Sequence, residues 1–546
     1  MGWPLKKRAL VLFTLLLFVF SGIIMQVYRL SDTYLSQAAE KQSTVTVTVA
    51  NGRGTIYDAH LRPLVNASSE YRLSVAPSAE AIAALTPQID REQLESLSER
   101  LQSGRPAVVT LRELKASVPD STLFSVPVRY TEPLTAPHLL GYLDGDGLHG
   151  VTGIEQAFDE YLNQCGGKAT VTYTVDAMGR PLGGIEPIIE NTLDETKAGV
   201  VLTIDATIQR MAQTAAQKYM TKGAVVVMEP DTGRIAAMVS LPDFQPSNVA
   251  DCLEDADSPL LNRALCNYNL GSVFKIVSAA AALEQGISTA TTFTCNGALQ
   301  VGDTTFHCHD RLGHGALDMT GAFAKSCNPY FIQLMQQAGG TSLYNMAAAL
   351  GFDRSLLLAE GYKTARAILP TSAELLLPAG VANMAFGQGS LMGTPVHVAQ
   401  MVAAVANGGE IVQPTILKGY CDKEGEVSEA TVTDARRVFS EQTARTLHEL
   451  MVHAVEEGTG ASARPEAYAG MAGGKTGTAE TGWESEGKPV VQSWFGGFYP
   501  AEEPRYVIAV IAEDADNTGG KAAPVFKEIC EGLYYILRAE KQAAAE

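Results

Sequence analysis

Positive charge is scarce in this chain. Lys and Arg number 41 against 60 Asp and Glu in 546 residues, a net charge of −19. Proteins that grip nucleic acid do so largely through Lys and Arg on phosphates, so nucleic acid is excluded as a main partner. An anionic substrate held in a locally basic site is not. Long apolar runs are scarce too: one extends from Ala9 to Met25, and no second run compares with it. That excludes a polytopic membrane protein. No small-x-small cleavage site follows the run closely and no cysteine lies near it, which argues against a removed signal peptide and a lipoprotein anchor. Internal repeats are absent. Charged residues make up only 18% and hydrophobic ones 46%, which excludes a mainly disordered chain.

The run itself fixes an expected location. At ~1.5 Å per residue it nearly spans a ~30 Å hydrocarbon core, more so with Val27 included. Lys6, Lys7 and Arg8 precede it. Basic flanks stay in the cytoplasm, so everything after the span is expected outside the cell membrane, on a single-pass anchor. The expected division is a cytoplasmic tail over 1–8, an anchor over 9–27, a stalk and pedestal over 28–195, and a main domain over 196–540.

Residues 28–44 read as a polar helical stalk. From "TVTVTVA" to about Pro187, short alternating runs broken by Gly and Pro predict a β-containing pedestal, with a helix over Arg91 to Leu101. "VVLTID" then predicts a strand and "ATIQRMAQTAAQKYM" a helix. "GAVVVMEPDTGRIAAMVS" reads as a hairpin, and "SWFGGFYP" and "RYVIAVIAED" as two late strands. Helical patterns lie between, in "SVFKIVSAAAALEQG", "GAFAKSCNPYFIQLMQQAG" and "PVHVAQMVAAVANGG". "VFKEICEGLYYILRAEK" predicts a closing amphipathic helix. Strands at both ends with helices between predict an α+β domain built on an antiparallel sheet.

Three clusters carry chemistry. Ser272 and Lys275, three apart at a helix start, share one face. A serine needs a base, and a lysine can serve once burial lowers its pKa. Ser326 and Asn328 sit two apart, where a hydroxyl can relay a proton and an amide can hold a carbonyl. Lys475, Thr476, Gly477 and Thr478 end the glycine-rich "AGMAGGKTGTAE". This nearly matches a phosphate-binding loop, but Ala469 stands where that pattern requires Gly. The flanks also predict neither the strand nor the helix such a loop needs. On a strand, Lys475 supplies positive charge, Thr476 and Thr478 supply hydroxyls for a carboxylate, and Gly477 lets a ligand approach the backbone.

Each cluster alone is weakly specific. Their order, Ser-x-x-Lys, Ser-x-Asn, Lys-Thr-Gly, resembles the penicillin-recognising serine enzymes. "RGTIYDAHLRPLV", "HLLGYLDGDGLHGVTGIEQAFDEYL", "VVLTIDATIQRMAQ" and "NMAFGQGSLMGTP" extend the resemblance to class B penicillin-binding proteins, from about residue 50 to about 530. It implies a penicillin-binding transpeptidase domain over 196–540 on a β-rich pedestal. It implies a serine-type D,D-transpeptidase that cross-links peptidoglycan stem peptides and is inhibited by β-lactams. Ser272 would be the nucleophile, Lys275 its base, Ser326 a proton carrier and Asn328 a clamp on the acyl group and Lys275. Lys475, Thr476 and Thr478 would bind the terminal carboxylate. The N–H groups of Ser272 and Thr478 would form the oxyanion hole. It implies no cofactor and no metal, and a membrane glycan polymerase as partner. "DAHLRP" departs from the usual Asp-Arg-Asn-Gly run, so no roles carry over there. Leu270 stands where Pro often precedes Gly-Ser. Elongation, septation and sporulation stay open.

Competing readings share some of these features. A serine β-lactamase or a D,D-carboxypeptidase has the same clusters, and a scaffold of a wall-synthesis complex could carry an idle site. A patch at Cys295, His307, Cys308, His309 and His314 leaves three states open: a zinc site without paired knuckles, a Cys295–Cys308 disulfide, or free thiols.

Overall fold

The computed structural model describes residues 4–33, 43–111, 113, 115–193, 197–485, 488–515 and 520–545. The stalk reading falls largely on 34–42 and lies outside them. The apolar run is one helix, α1 (Leu5–Thr33). Within Leu5–Arg29 an 18-residue window reaches a mean hydropathy of 2.5 and none of that window is buried in the protein, as fits a membrane span.

Packing divides the chain into two interleaved units: residues 1–53, 66–129 and 166–196 form the first, and 54–65, 130–165 and 197–546 the second. The segments 54–65 and 130–165, inside the stretch read as pedestal, thus pack with the second unit. In the first unit, Thr44–Asn51 pairs antiparallel with Lys168–Thr174, which pairs with Ile188–Asn191. A second sheet sets Ser68–Val75 between Ala107–Leu111 and Ser121–Val128. The expected helix runs Arg91–Gln102, capped by Asp90 accepting from Gln93 N.

In the second unit, a five-stranded antiparallel sheet runs in the order β2-β1-β5-β4-β3, with β1 Gly223–Met228, β2 Ile235–Leu241, β3 Gly473–Ser485, β4 Lys488–Tyr499 and β5 Tyr506–Ala515. The expected hairpin is β1–β2. Every residue of β1 is buried because both faces are covered. Ala224, Val226 and Met228 enter the larger core, and Val225 and Val227 the smaller. The smaller core is closed by α2 (Ala206–Tyr219) and the C-terminal helix Ala522–Ala545. The larger core holds α3 (Lys275–Glu284), α4 (Asn328–Ala338) and α5 (Pro395–Ala406). In α3, Ala-rich sequence favours helix, and apolar residues all round demand full burial.

One expectation changes. "GAFAKSCNPYFIQLMQQAG" is not a single helix: it breaks into Met319–Ala324 and α4, with Ser326 between them at φ 54°. Pro329 explains the break. It cannot continue a helix interior but suits a first turn, so the chain restarts around it.

Candidate active site

The site is assembled where α3, the Ser326 turn and edge strand β3 meet. Ser272 lies in a single 3₁₀ turn, Gly271–Phe274, that runs directly into Lys275 at the start of α3. Gly271 has φ 57°, and a Cβ there would come within 2.5 Å of the Thr478 carbonyl. Behind it, Gly271 N donates to Gly387 O at 2.8 Å. Gly387 has φ 81°, and its Cβ would fall 1.9 Å from Gly271 O. The Trp494 indole N–H donates to Asn269 O at 2.9 Å. The Ser272 turn is thus wedged between β3 and the "GQG" loop, and only glycine fits at the contacts. Gly477 belongs to the same wedge. Its Cβ direction meets Val273 N at 3.1 Å and Leu270 O at 3.2 Å, so its smallness admits this turn rather than a ligand.

Lys275 is fully buried. Its Nζ lies 2.8 Å from Ser272 Oγ, 2.7 Å from Ser326 O, 3.1 Å from Ser326 Oγ and 2.7 Å from Asn328 Oδ1. The Phe331 ring lies 5.7 Å away. Burial pulls Lys275 down to about 7, against the opposing influence of Cys327 and Cys308. Two of its four oxygen neighbours, Ser326 O and Asn328 Oδ1, can only accept. A neutral lysine gives them its two N–H groups and keeps its lone pair for a hydroxyl, which Ser272 supplies. Asn328 is held in turn by donating from Nδ2 to His307 O at 3.2 Å.

Lys475 is also fully buried, and burial first, then Lys275, drives its pKa well down. Its Nζ donates to Thr476 O at 3.1 Å and Thr476 Oγ1 at 3.4 Å. An arriving carboxylate would restore the charge that burial suppresses. Register places Lys475 opposite Gly496 and Thr478 opposite Ser493 on β4, and among the described residues no strand pairs with the other edge of β3. Thr478 is exposed, and Thr476 Oγ1 lies 2.9 Å from Thr459 Oγ1. All three motifs therefore converge. A cavity of about 640 Å³ lined by Tyr130, Glu132, Arg210 and Asp243 shares no residue with them.

The model of the penicillin-binding protein transpeptidase domain matches residues 223–531, more than half the chain. This chain belongs to the penicillin-binding transpeptidases. Within them it is of class B. It is 31% identical to stage V sporulation protein D of Bacillus subtilis over 72% of the chain and 61% of that protein. It is 32% identical to the peptidoglycan D,D-transpeptidase PbpA of Mycolicibacterium smegmatis, over 72% of the chain and 80% of the relative. The matched region thus spans less than two thirds of the sporulation protein's length. Penicillin-binding protein 3 of Mycobacterium tuberculosis, solved with aztreonam, superposes with a TM-score of 0.64 at 25% identity, over 91% of this chain and 97% of that one.

Several contributors to this site escaped the motif reading: Gly271, Gly387, Thr459 and the His307 carbonyl. "FGQG" was the available signal for Gly387; nothing local marks Thr459 or a backbone carbonyl. The structure also extends the cysteine patch: Cys295 and Cys308 are not bonded to each other, and they gather with His314 and with Cys327 of the second motif. Contact between Cys308 and Cys327 holds the Cys308 thiol down and pushes the Cys327 thiol up.

"DAHLRP" acquires a structural account as well. Arg62 Nε pairs with buried Asp58 at 2.6 Å and Arg62 NH2 with Asp205 at 3.0 Å. Asp205 caps α2 by accepting from Thr207 N at 2.6 Å and Ile208 N at 3.2 Å. Burial raises Asp205, but these donors and Arg62 more than offset it and hold it below the usual range.

Proposed function

We propose that the chain cross-links peptidoglycan stem peptides by acyl transfer from the terminal D-alanyl-D-alanine. Supporting this most directly is one fully buried lysine within 3.1 Å of Ser272 Oγ, Ser326 Oγ and Asn328 Oδ1 at once. Neutral Lys275 takes the proton of Ser272 as Oγ attacks the penultimate carbonyl. The Oγ–C bond forms, and the N–H groups of Ser272 and Thr478 stabilise the oxyanion, each donor worth roughly 3 kcal/mol. The C–N bond then breaks, and Ser326 passes the proton to the departing D-alanine nitrogen. An acceptor amine attacks the acyl-enzyme, its proton returns by the same route, and Ser272 is regenerated. Lys475, Thr476 and Thr478 hold the terminal carboxylate, or that of a β-lactam. The open edge of β3 suits an extended peptide. Asn328 positions the acyl group and Lys275.

In this reading α1 anchors the protein with Lys6, Lys7 and Arg8 on the cytoplasmic side and the site outside. A membrane glycan polymerase is the partner. The test is covalent labelling of the full chain in detergent by a fluorescent penicillin, beside Ser272→Ala. Stable label on the wild type alone is expected. Label that forms and is lost within seconds would make the protein a β-lactamase. No label on folded protein would leave the idle-scaffold reading.

A further inference from the structure

The cluster beside the second motif has a use that acyl transfer does not supply. Cys295 Sγ, Cys308 Sγ, Cys327 Sγ and a His314 ring nitrogen all lie within 4.8 Å of one another, three of the residues buried and His314 half-buried. Tetrahedral zinc, with Zn–S ~2.3 Å and Zn–N ~2.0–2.1 Å, places neighbouring ligand atoms roughly 3.5–3.8 Å apart. Cys308 Sγ and His314 Nδ1 already stand at 3.5 Å. Closing the widest gap requires less than about 1 Å of side-chain movement. Three thiols and an imidazole this close together match the ligand set of a tetrahedral thiophilic cation. A buried disulfide would use two of them and leave the third thiol and the imidazole without a role.

The fold brings the four together from distant sequence. Cys295 ends the strand Phe293–Cys295, paired opposite Gly315, which places His314 beside it. Cys308 follows the hairpin Ala298–Val301/Thr304–His307, and its N–H donates to Gly297 O at 3.0 Å. Gly297 (φ 84°) and Gly313 (φ 83°) permit the crossing: a Cβ would lie 2.1 Å from Arg311 O and 2.4 Å from Cys295 O, respectively. Cys327 immediately precedes α4, between Ser326 and Asn328.

We infer that Cys295, Cys308, His314 and Cys327 form a structural zinc site that pins the Ser326–Asn328 turn against the hairpin. Three thiolates and one imidazole make a closed set with no open position, a structural rather than a catalytic site, and one that selects zinc over hard cations. Binding displaces the thiol protons to solvent. Half-buried His314 provides the path of entry. The mechanical consequence is local: Cys327 fixes the peptide that carries Ser326 O and Asn328, and Cys308 fixes the strand end whose His307 carbonyl holds the Asn328 amide. The site departs from the metal-free chemistry that family resemblance implies, but it leaves the reacting atoms alone.

Metal analysis of the full chain purified in detergent without chelator is the test, with His314→Ala, Cys295→Ser and Ser272→Ala beside it. About one zinc per chain is expected in the wild type and in Ser272→Ala, and little in the two ligand variants at unchanged circular dichroism. Stripping the zinc should lower the thermal midpoint and slow penicillin acylation by roughly 10- to 100-fold, with recovery on adding zinc. If both ligand variants fail to fold, cobalt substitution of the wild type decides. Intense visible absorption with a thiolate charge-transfer band supports the site; a weak octahedral spectrum overturns it. Three further results overturn it: a native mass lower by two hydrogens with Cys295 joined to Cys308, reduced thiols that take up no zinc, or zinc retained by both ligand variants. Because Ser272→Ala keeps its zinc whatever its acylation, failure of the metal site and failure of the acyl-transfer reading are separable.

Discussion

Lys275 shows how much one residue's chemistry depends on its burial. An ordinary lysine is charged at neutral pH and cannot take a proton; this one titrates near 7 because it has lost its water. Acylation of the full chain should therefore rise from about pH 6 to about pH 8 and then level off, as the neutral fraction grows. A pH-independent rate would argue against Lys275 as the base. Lys275→Arg should lower acylation by roughly 10²–10⁴-fold at every pH in that range, because a guanidinium stays charged. Stopped-flow labelling would measure both. Ser-x-x-Lys, Ser-x-Asn and Lys-Thr-Gly were legible in the sequence because reactive side chains must be of particular types. The acceptor-only oxygen that directs the lysine's lone pair, Ser326 O, was not legible, since every residue carries a carbonyl.

Elements position those side chains through close backbone approach. The Ser272 turn touches β3 at Thr478 and the "GQG" loop at Gly387, and a methyl group on Gly271 or Gly387 would collide with backbone. Gly387→Ala should thus cost about 1–3 kcal/mol of stability and reduce acylation several-fold, although no reacting group is altered. A wild-type labelling rate for that variant would dissolve the wedge argument. At α2, Asp205 both caps the helix and receives Arg62. Asp205→Ala should lower stability by roughly 1–2 kcal/mol, read from the shift in the thermal midpoint, with the label rate little changed. Hairpins and helices with clear periodicity, such as β1–β2 and Arg91–Gln102, were readable from local pattern. The break at Ser326 was not, because apolar spacing continues across it while Pro329 decides the backbone.

For the molecule as a whole, two neutral histidines deep in the second unit tie stability to pH. His138 donates from Nε2 to Pro259 O at 2.6 Å, and His397 from Nε2 to Arg354 O at 3.0 Å. Burial lowers both to about 4, whereas the unfolded chain titrates near 6.5. Between those values the unfolded state binds more protons. The contribution is whole above about pH 6.5 and is lost as pH falls toward about 4, up to roughly 3 kcal/mol per histidine. The thermal midpoint of the full chain should fall between about pH 7 and about pH 5, before most carboxylates titrate; a constant midpoint would contradict it. By itself the sequence determined an apolar helix long enough to cross a membrane, the α+β class and the candidate reactive groups, because hydropathy, periodicity and nucleophile chemistry are properties of short stretches. Tertiary structure alone decided that segments 54–65 and 130–165 pack with the second unit, that glycines 271, 387 and 477 wedge the Ser272 turn, and that Cys295, Cys308, His314 and Cys327 come together. Those are contacts between residues far apart in the chain, and their cost or benefit exists only once the backbone has brought them together.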